Sequence, residues 1–146
     1  IRKYWFTTGE MGNLMASGEV VGGNAWESTL VELRNAGHKV VDLKPKEGRG
    51  GWSDSWMIVK GAETNPCVYP WLNWVSSPEA QALAHKVTGF GYPNAKMVGK
   101  LDEKAKASYD SLGMADPKTL ENVDWWQPVA RRGKYLEIWN QVKAAQ

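Results

Sequence analysis

Residues 55–59, SWMIV, carry the single clear strand pattern in the second half of this 146-residue chain. A lone strand leaves its backbone amides and carbonyls unpaired. Its sheet partners must come from residues 1–45, from another chain, or from sequence outside this one. That demand constrains the fold more than composition does.

The first half offers an α/β alternation with short connections. Thr7 and Glu10 have capping-box spacing, which predicts a helix from about Thr8 to Ser17, stopped by Gly18. EVVGGNAW, residues 19–26, reads as a short buried strand ending in a glycine-rich turn. WESTLVELRNA predicts a helix over 26–36 with Leu30 and Leu33 on one face and Gly37 as its stop. HKVVDLKP, residues 38–45, reads as a second strand closed by Pro45. KEGRGG, residues 46–51, holds charge and glycine but nothing apolar, and reads as a linker or crossover between lobes.

After SWMIV the chain turns helical. Asn65 and Pro66 predict one helix start, and Ser77 and Pro78 another, with Gly89 as its stop. GFGYPNAK reads as a loop, DEKAKASYDSLG as a polar helix and DPKTLENV as a short one. Tyr135, Ile138, Trp139 and Val142 mark one apolar face of a C-terminal helix.

Several chemistries are poorly served by this sequence. The net charge is +2, from 18 basic and 16 acidic residues without a basic stripe, which argues against nucleic acid. Cys67 falls on the presumed first turn of a helix, yet neither His38 nor His85 has a partner motif, so Cys67 reads as a buried structural thiol and His85 as a surface residue. Two histidines and one cysteine, widely separated, match no metal spacing. GRGGWS lacks the lysine of a phosphate-cradling loop. The expectation is no metal, no cofactor and no catalysis.

Tryptophan is the conspicuous resource, with nine residues at positions 5, 26, 52, 56, 71, 74, 125, 126 and 139. Trp71, Trp74 and Trp139 sit at core-like helical positions and are assigned to packing. Trp26, Trp52, Tyr92 and Trp125 or Trp126 fall in loops or at element ends, where binding residues concentrate. Asp54 lies between Trp52 and Trp56, and Gln127 follows the Trp125–Trp126 pair. Two readings of Asp54 stay open on this pattern. It caps a strand turn amid scattered core indoles, or it accepts a charge-assisted hydrogen bond from an alkyl ammonium held against aromatic walls.

The order of motifs adds a resemblance. MGNLMASGEVVGGNAW, VVDLKPKEGRGGWSDSWMIVKGAETNP and WLNWVSSPEAQALAHKVTGFGYPNAK, with a late W-Q, resemble the C-terminal part of a bacterial extracellular solute-binding protein of an ABC transporter. Within that group the chain is most similar to the spermidine/putrescine-binding proteins. The resemblance implies an α/β fold of the periplasmic-binding-protein type II-like, two-lobed kind, present here as a C-terminal fragment. Residues 1–45 then fall in the second lobe, 46–51 in the interlobe crossover and 52–146 in the returning part of the first lobe. It also implies a signal peptide in the full-length precursor, and a periplasmic location or, in a Gram-positive, an extracellular membrane-anchored one. The chain itself opens IRKYWFTTGE, with no initiator Met.

By the same resemblance Trp26 matches a ligand-stacking tryptophan, and Trp52 and Asp54 match an aromatic wall and its amine-binding acid. Tyr92 and Gln127 match further cleft contacts. The implied partners are a small-molecule amine, an ABC permease and the missing N-terminal portion of the same protein. Glu27 follows Trp26, and no Arg or Lys lies immediately beside the matched residues, which favours a di- or polycation over γ-aminobutyrate or another amino compound. A sugar receptor is the other binding alternative. An enzyme on a related scaffold lacks a nucleophile–base pair here.

Overall fold

The computed structural model describes residues 3–145. Helix α1 (Thr8–Ala16) starts where Thr7 Oγ1 accepts the Glu10 amide at 3.1 Å, while the Glu10 carboxylate reaches back to the Phe6 amide at 2.9 Å. The reciprocal arrangement satisfies the Glu10 amide, which the first helical turn leaves unpaired, and the Phe6 amide just before the cap. Gly18, at φ 73°, ends the helix in the left-handed region. Helix α2 (Glu27–Asn35) packs against α1 and is stopped by Gly37 at φ 87°. Met11 and Leu14 of α1 and Thr29 and Leu33 of α2 are buried. Leu33 therefore faces inward as expected, but its fully buried companion is Thr29 rather than Leu30.

Strand β1 (Arg49–Gly51) pairs in parallel with β2 (Val123–Trp125), in the register Arg49–Val123, Gly50–Asp124 and Gly51–Trp125. Half of the glycine-rich stretch 46–51 is therefore strand rather than irregular chain. Gly48 adopts φ 87°, and a Cβ there would lie 2.8 Å from the Asn122 carbonyl oxygen. The backbones approach closely because this position has no side chain. Arg49 adds an ion pair to Asp42 at 2.9 Å.

The three expected strands do not form. Residues 19–26, 38–45 and 55–59 lie outside regular structure, with Val21, Val41, Leu43 and Met57 exposed. No described strand lies beside them to complete a ladder, and an apolar run has no means to hold strand geometry alone. Segment 38–45 is held instead by Arg34, which donates to the Val40 carbonyl at 3.3 Å and to Ser111 Oγ at 2.9 Å.

Helix α3 (Val68–Val75) begins two residues later than expected, with Cys67 at its N-cap position. Asn65 caps the turn before it, its Oδ1 accepting the Cys67 amide at 2.9 Å. Cys67 is exposed, not a buried thiol. Helix α4 (Pro78–Thr88) has its expected start and stop, with Ser77 Oγ accepting the Ala80 amide at 3.2 Å and Gly89 at φ 72°. A 3-10 turn over Ala95–Lys100 packs on α4, and helix α5 (Glu103–Ser111), capped by Asp102, closes the main core of Ala82, Met97 and Tyr109. Asn94 ties this region together, its amide donating to Gln81 Oε1 at 2.9 Å and its Nδ2 to the Ser76 carbonyl at 2.8 Å. A second 3-10 turn spans Pro117–Leu120, and α6 (Arg132–Ala144) is the last helix.

Trp71, Trp74 and Trp139 are half-exposed rather than core. Trp71 meets Trp74 at a tilt, 5.3 Å apart, and Trp56 edge-on at 6.0 Å, while Trp139 meets Tyr4 edge-on at 4.8 Å. The expected apolar face of α6 exists, but Tyr135, Ile138, Trp139 and Val142 are all exposed. His85, expected at the surface, is buried. It stands at the face of α4 that meets α5, edge-on to Tyr109 at 5.1 Å. No helix of the described residues is long and apolar enough to cross a membrane.

Two outcomes follow from the packing. Thr29 Oγ1 is buried between the first two helices with no hydrogen-bond partner among the described residues. Thr29→Val removes an undersatisfied hydroxyl at nearly constant volume, so urea unfolding should give a stability equal to or up to about 1 kcal/mol above wild type. The second outcome is acid sensitivity. Lys3, Lys100 and Lys86 hold the carboxyls of Glu10, Glu79 and Asp102 below the usual carboxylate range, aided by backbone amides. A depressed folded-state pKa contributes stability above the unfolded value, and that contribution is lost as pH falls through the folded one. The urea midpoint should be flat from about pH 7 to 5 and fall below about pH 4, less steeply in 1 M salt.

Candidate functional site

The parallel register of β1 and β2 delivers two indoles to one place. Trp52 follows Gly51, Trp126 follows Trp125, and the Trp126 amide donates to the Gly51 carbonyl at 2.9 Å. The Trp52 and Trp126 rings lie 5.8 Å apart at 37°. Trp26, at the N-cap position of α2, approaches Trp52 at 5.4 Å and 43°. Phe90, just beyond the Gly89 stop of α4, stands edge-on to both, at 6.2 Å from Trp26 and 5.8 Å from Trp52. Trp5 completes the group at 6.5 Å from Trp26, with its indole N–H on the Asn24 carbonyl at 2.8 Å.

The cluster is thus built from loops and element ends, and it is not sealed. Trp26 is 40% exposed and Trp126 74%. Tilted and edge-on indoles with open faces present negative quadrupole surface, which attracts organic cations and also stacks on sugars.

The site residues expected from sequence divide into three groups. Trp26 and Trp52 are in direct ring contact. Asp54 and Gln127 are exposed, each one or two residues along the chain from a ring of the cluster, and neither is hydrogen-bonded or ion-paired to a described residue. Chain connectivity keeps the Asp54 Cα within about 7 Å of that of Trp52. Tyr92 is placed differently. Its ring packs on the core of Ala82, Met97 and Tyr109, and its hydroxyl meets Thr88 Oγ1 at 3.2 Å. Trp56, the other indole flanking Asp54, turns away to Trp71. Of the pair Trp125 and Trp126, it is Trp126 that joins the cluster.

Phe90 and Trp5 were missed by the sequence reading. Both lie in loops, and the criterion that selected Tyr92 applies equally to Phe90, which sits between Gly89 and Gly91. Among the described residues no group of three or more His, Cys, Asp or Glu could hold a metal ion.

The curated spermidine/putrescine-binding periplasmic protein of Escherichia coli is 26% identical to the chain over 141 residues, or 95% of the chain and 40% of that protein. The protein of the same name from Shigella flexneri matches equally, and that of Salmonella typhimurium is 25% identical over the same span. The chain is similar to periplasmic spermidine/putrescine-binding proteins. The resemblance read from its motifs is borne out by these relatives. The chain spans about 40% of their length. No protein-family profile matches the chain, and no solved structure does.

The strand pair can be tested directly. A Cβ at Gly51 would lie 2.5 Å from Val123 Cγ1, whereas at Gly50 the nearest atom is Trp126 Nε1 at 3.9 Å. Gly51→Ala should lower stability by about 1–3 kcal/mol and change the near-ultraviolet circular dichroism of the indole cluster. Gly50→Ala should leave both close to wild type.

Proposed function

We propose that the chain is part of an extracellular solute receptor that holds a polyamine-like cation, of the putrescine and spermidine class, and delivers it to an ABC permease without performing chemistry. The observation that carries this reading is the pair of Trp26 and Trp52 rings, 5.4 Å apart, with the uncommitted carboxylate of Asp54 two residues further on. Aromatic faces stabilise an ammonium by cation–π attraction, and a free acid adds a charge-assisted hydrogen bond. The names of these relatives point to the same ligand class and to the periplasm.

In this reading the ligand lies in a cleft between two lobes. Residues 1–45 contribute to the second lobe, 46–51 cross over, and 52–146 return to the first. Trp26 and Trp52 are the walls, Asp54 is the ammonium acceptor, and Tyr92 and Gln127 are further cleft contacts. Sequence corresponding to the part of the relatives that the chain does not match supplies the remaining acids and covers the apolar faces of α3 and α6. Tyr92 reaches the ligand only if it leaves its Thr88 contact when the lobes close.

The test is a titration of the intact protein carrying these residues with putrescine, spermidine, γ-aminobutyrate and a sugar, followed by tryptophan fluorescence. Putrescine or spermidine should bind well below millimolar, the range that corresponds to about −4 kcal/mol. Asp54→Asn should weaken the amine by about 1.5–3 kcal/mol. Equal affinity of wild type and Asp54→Asn for the amine would remove Asp54 from the site.

A further inference from the structure

Phe90 is the ring that Trp26 and Trp52 share, and its backbone stands between two glycines. A residue flanked by Gly89 and Gly91 has little local stiffness, so something else must hold it. Two contacts do. The Phe90 amide donates to Thr88 Oγ1 at 3.2 Å, and the Phe90 carbonyl lies 2.8 Å from His85 Nδ1. A carbonyl oxygen only accepts, so Nδ1 carries the proton. The imidazole is 3% exposed and is braced edge-on by Tyr109, which gives the donor a fixed position one helical turn before Gly89. Gly89 in turn sits tightly on α2, where a Cβ would come within 3.0 Å of Val31 Cγ2. The helix whose N-cap is Trp26 is thereby fixed against the loop that carries Phe90.

We propose that His85 is a positioning residue for the aromatic cluster: its Nδ1–H pins the Phe90 carbonyl, the Phe90 ring buttresses Trp26 and Trp52, and the spacing of those indoles sets the affinity for a cation. His85 and Phe90 act on the ligand only through the two indoles. The consequence for affinity rests on the amine-receptor reading above, whereas the geometric consequence rests on the contacts alone. Cation–π attraction falls off beyond about 6 Å from a ring centroid. A buttress that lets one ring drift therefore costs affinity without touching the ligand.

The experiment compares His85→Leu, His85→Asn and Phe90→Leu with wild type in the intact protein. The readouts are the near-ultraviolet circular dichroism of the indoles without ligand and the Kd for putrescine. Leucine fills the His85 site without a donor, while the asparagine amide can donate from nearly the same place as Nδ1. His85→Leu and Phe90→Leu should alter the indole band and raise the Kd by about three- to tenfold. His85→Asn should restore both to near wild type. A folded His85→Leu with wild-type band and Kd overturns the proposal, even if it melts earlier, because that result leaves His85 a purely structural core residue. If His85→Leu does not fold, an unchanged band and Kd in Phe90→Leu overturn it instead. If wild type binds no amine, the receptor reading fails, while the band in the three variants still decides whether His85 sets the cluster.

Discussion

The parallel pairing of Arg49–Gly51 with Val123–Trp125 is the contact on which the arrangement of the candidate site depends. It joins the middle of the chain to its last quarter, and its register alone decides which aromatic side chains become neighbours. A slip by one residue would turn every side chain of a strand to the opposite face. The pairing is possible because Gly48 and Gly51 present no Cβ to Asn122 and Val123. Glycines that look like a flexible connection are here the means of close backbone approach. Trp52 and Trp126 follow directly from the two strand ends, and the rest of the cluster gathers on them.

A second support comes from the helical layer. The buried residues of α4, the 3-10 turn at Ala95–Lys100 and α5 form a small core that fixes both the Gly89 stop and the loop beyond it. His85 belongs to this core and to the site at once, since its ring packs on Tyr109 while its N–H holds Phe90. Burial and the neighbouring Asp110 raise the Tyr109 phenol above its ordinary range, so it remains a neutral packing partner at physiological pH. The aromatic cluster thus rests on a core at its Phe90 side and on a strand pair at its Trp52 side. Its exposed members are Trp26 and Trp126.

Much of the helical layout was legible in the sequence, because capping is local chemistry. Thr7, Ser77 and Asp102 accept the amides that start their helices, and Gly18, Gly37 and Gly89 occupy the left-handed positions that end them. The strand expectations failed for the opposite reason. Apolar content at 38–45 and 55–59 suggests a strand, but strand structure requires a neighbour that the segment itself does not specify. The same limit misplaced the tryptophans of α3 and α6. Periodicity identifies an apolar face, and only packing decides whether anything covers it. His85 was misread because a polar-looking helix turns one face, with Ala80, Gln81, Ala82 and His85, inward.

For the candidate site, the sequence alone determined the chemical vocabulary. Tryptophans at loop positions, an acid at Asp54 between two of them and an amide at Gln127 follow from residue identity, and so does the lack of a metal-ligand spacing or a nucleophile–base motif. Tertiary structure decided the grammar. It selected Trp126 over Trp125, joined Trp26 to Trp52, added Trp5 and Phe90, sent Trp56 to a separate cluster and turned Tyr92 toward the core. The physical reason is range. Caps and turns are settled by residues within one helical turn of each other, whereas ring contacts between residues 5, 26, 52, 90 and 126 exist only once distant backbones have been brought into register.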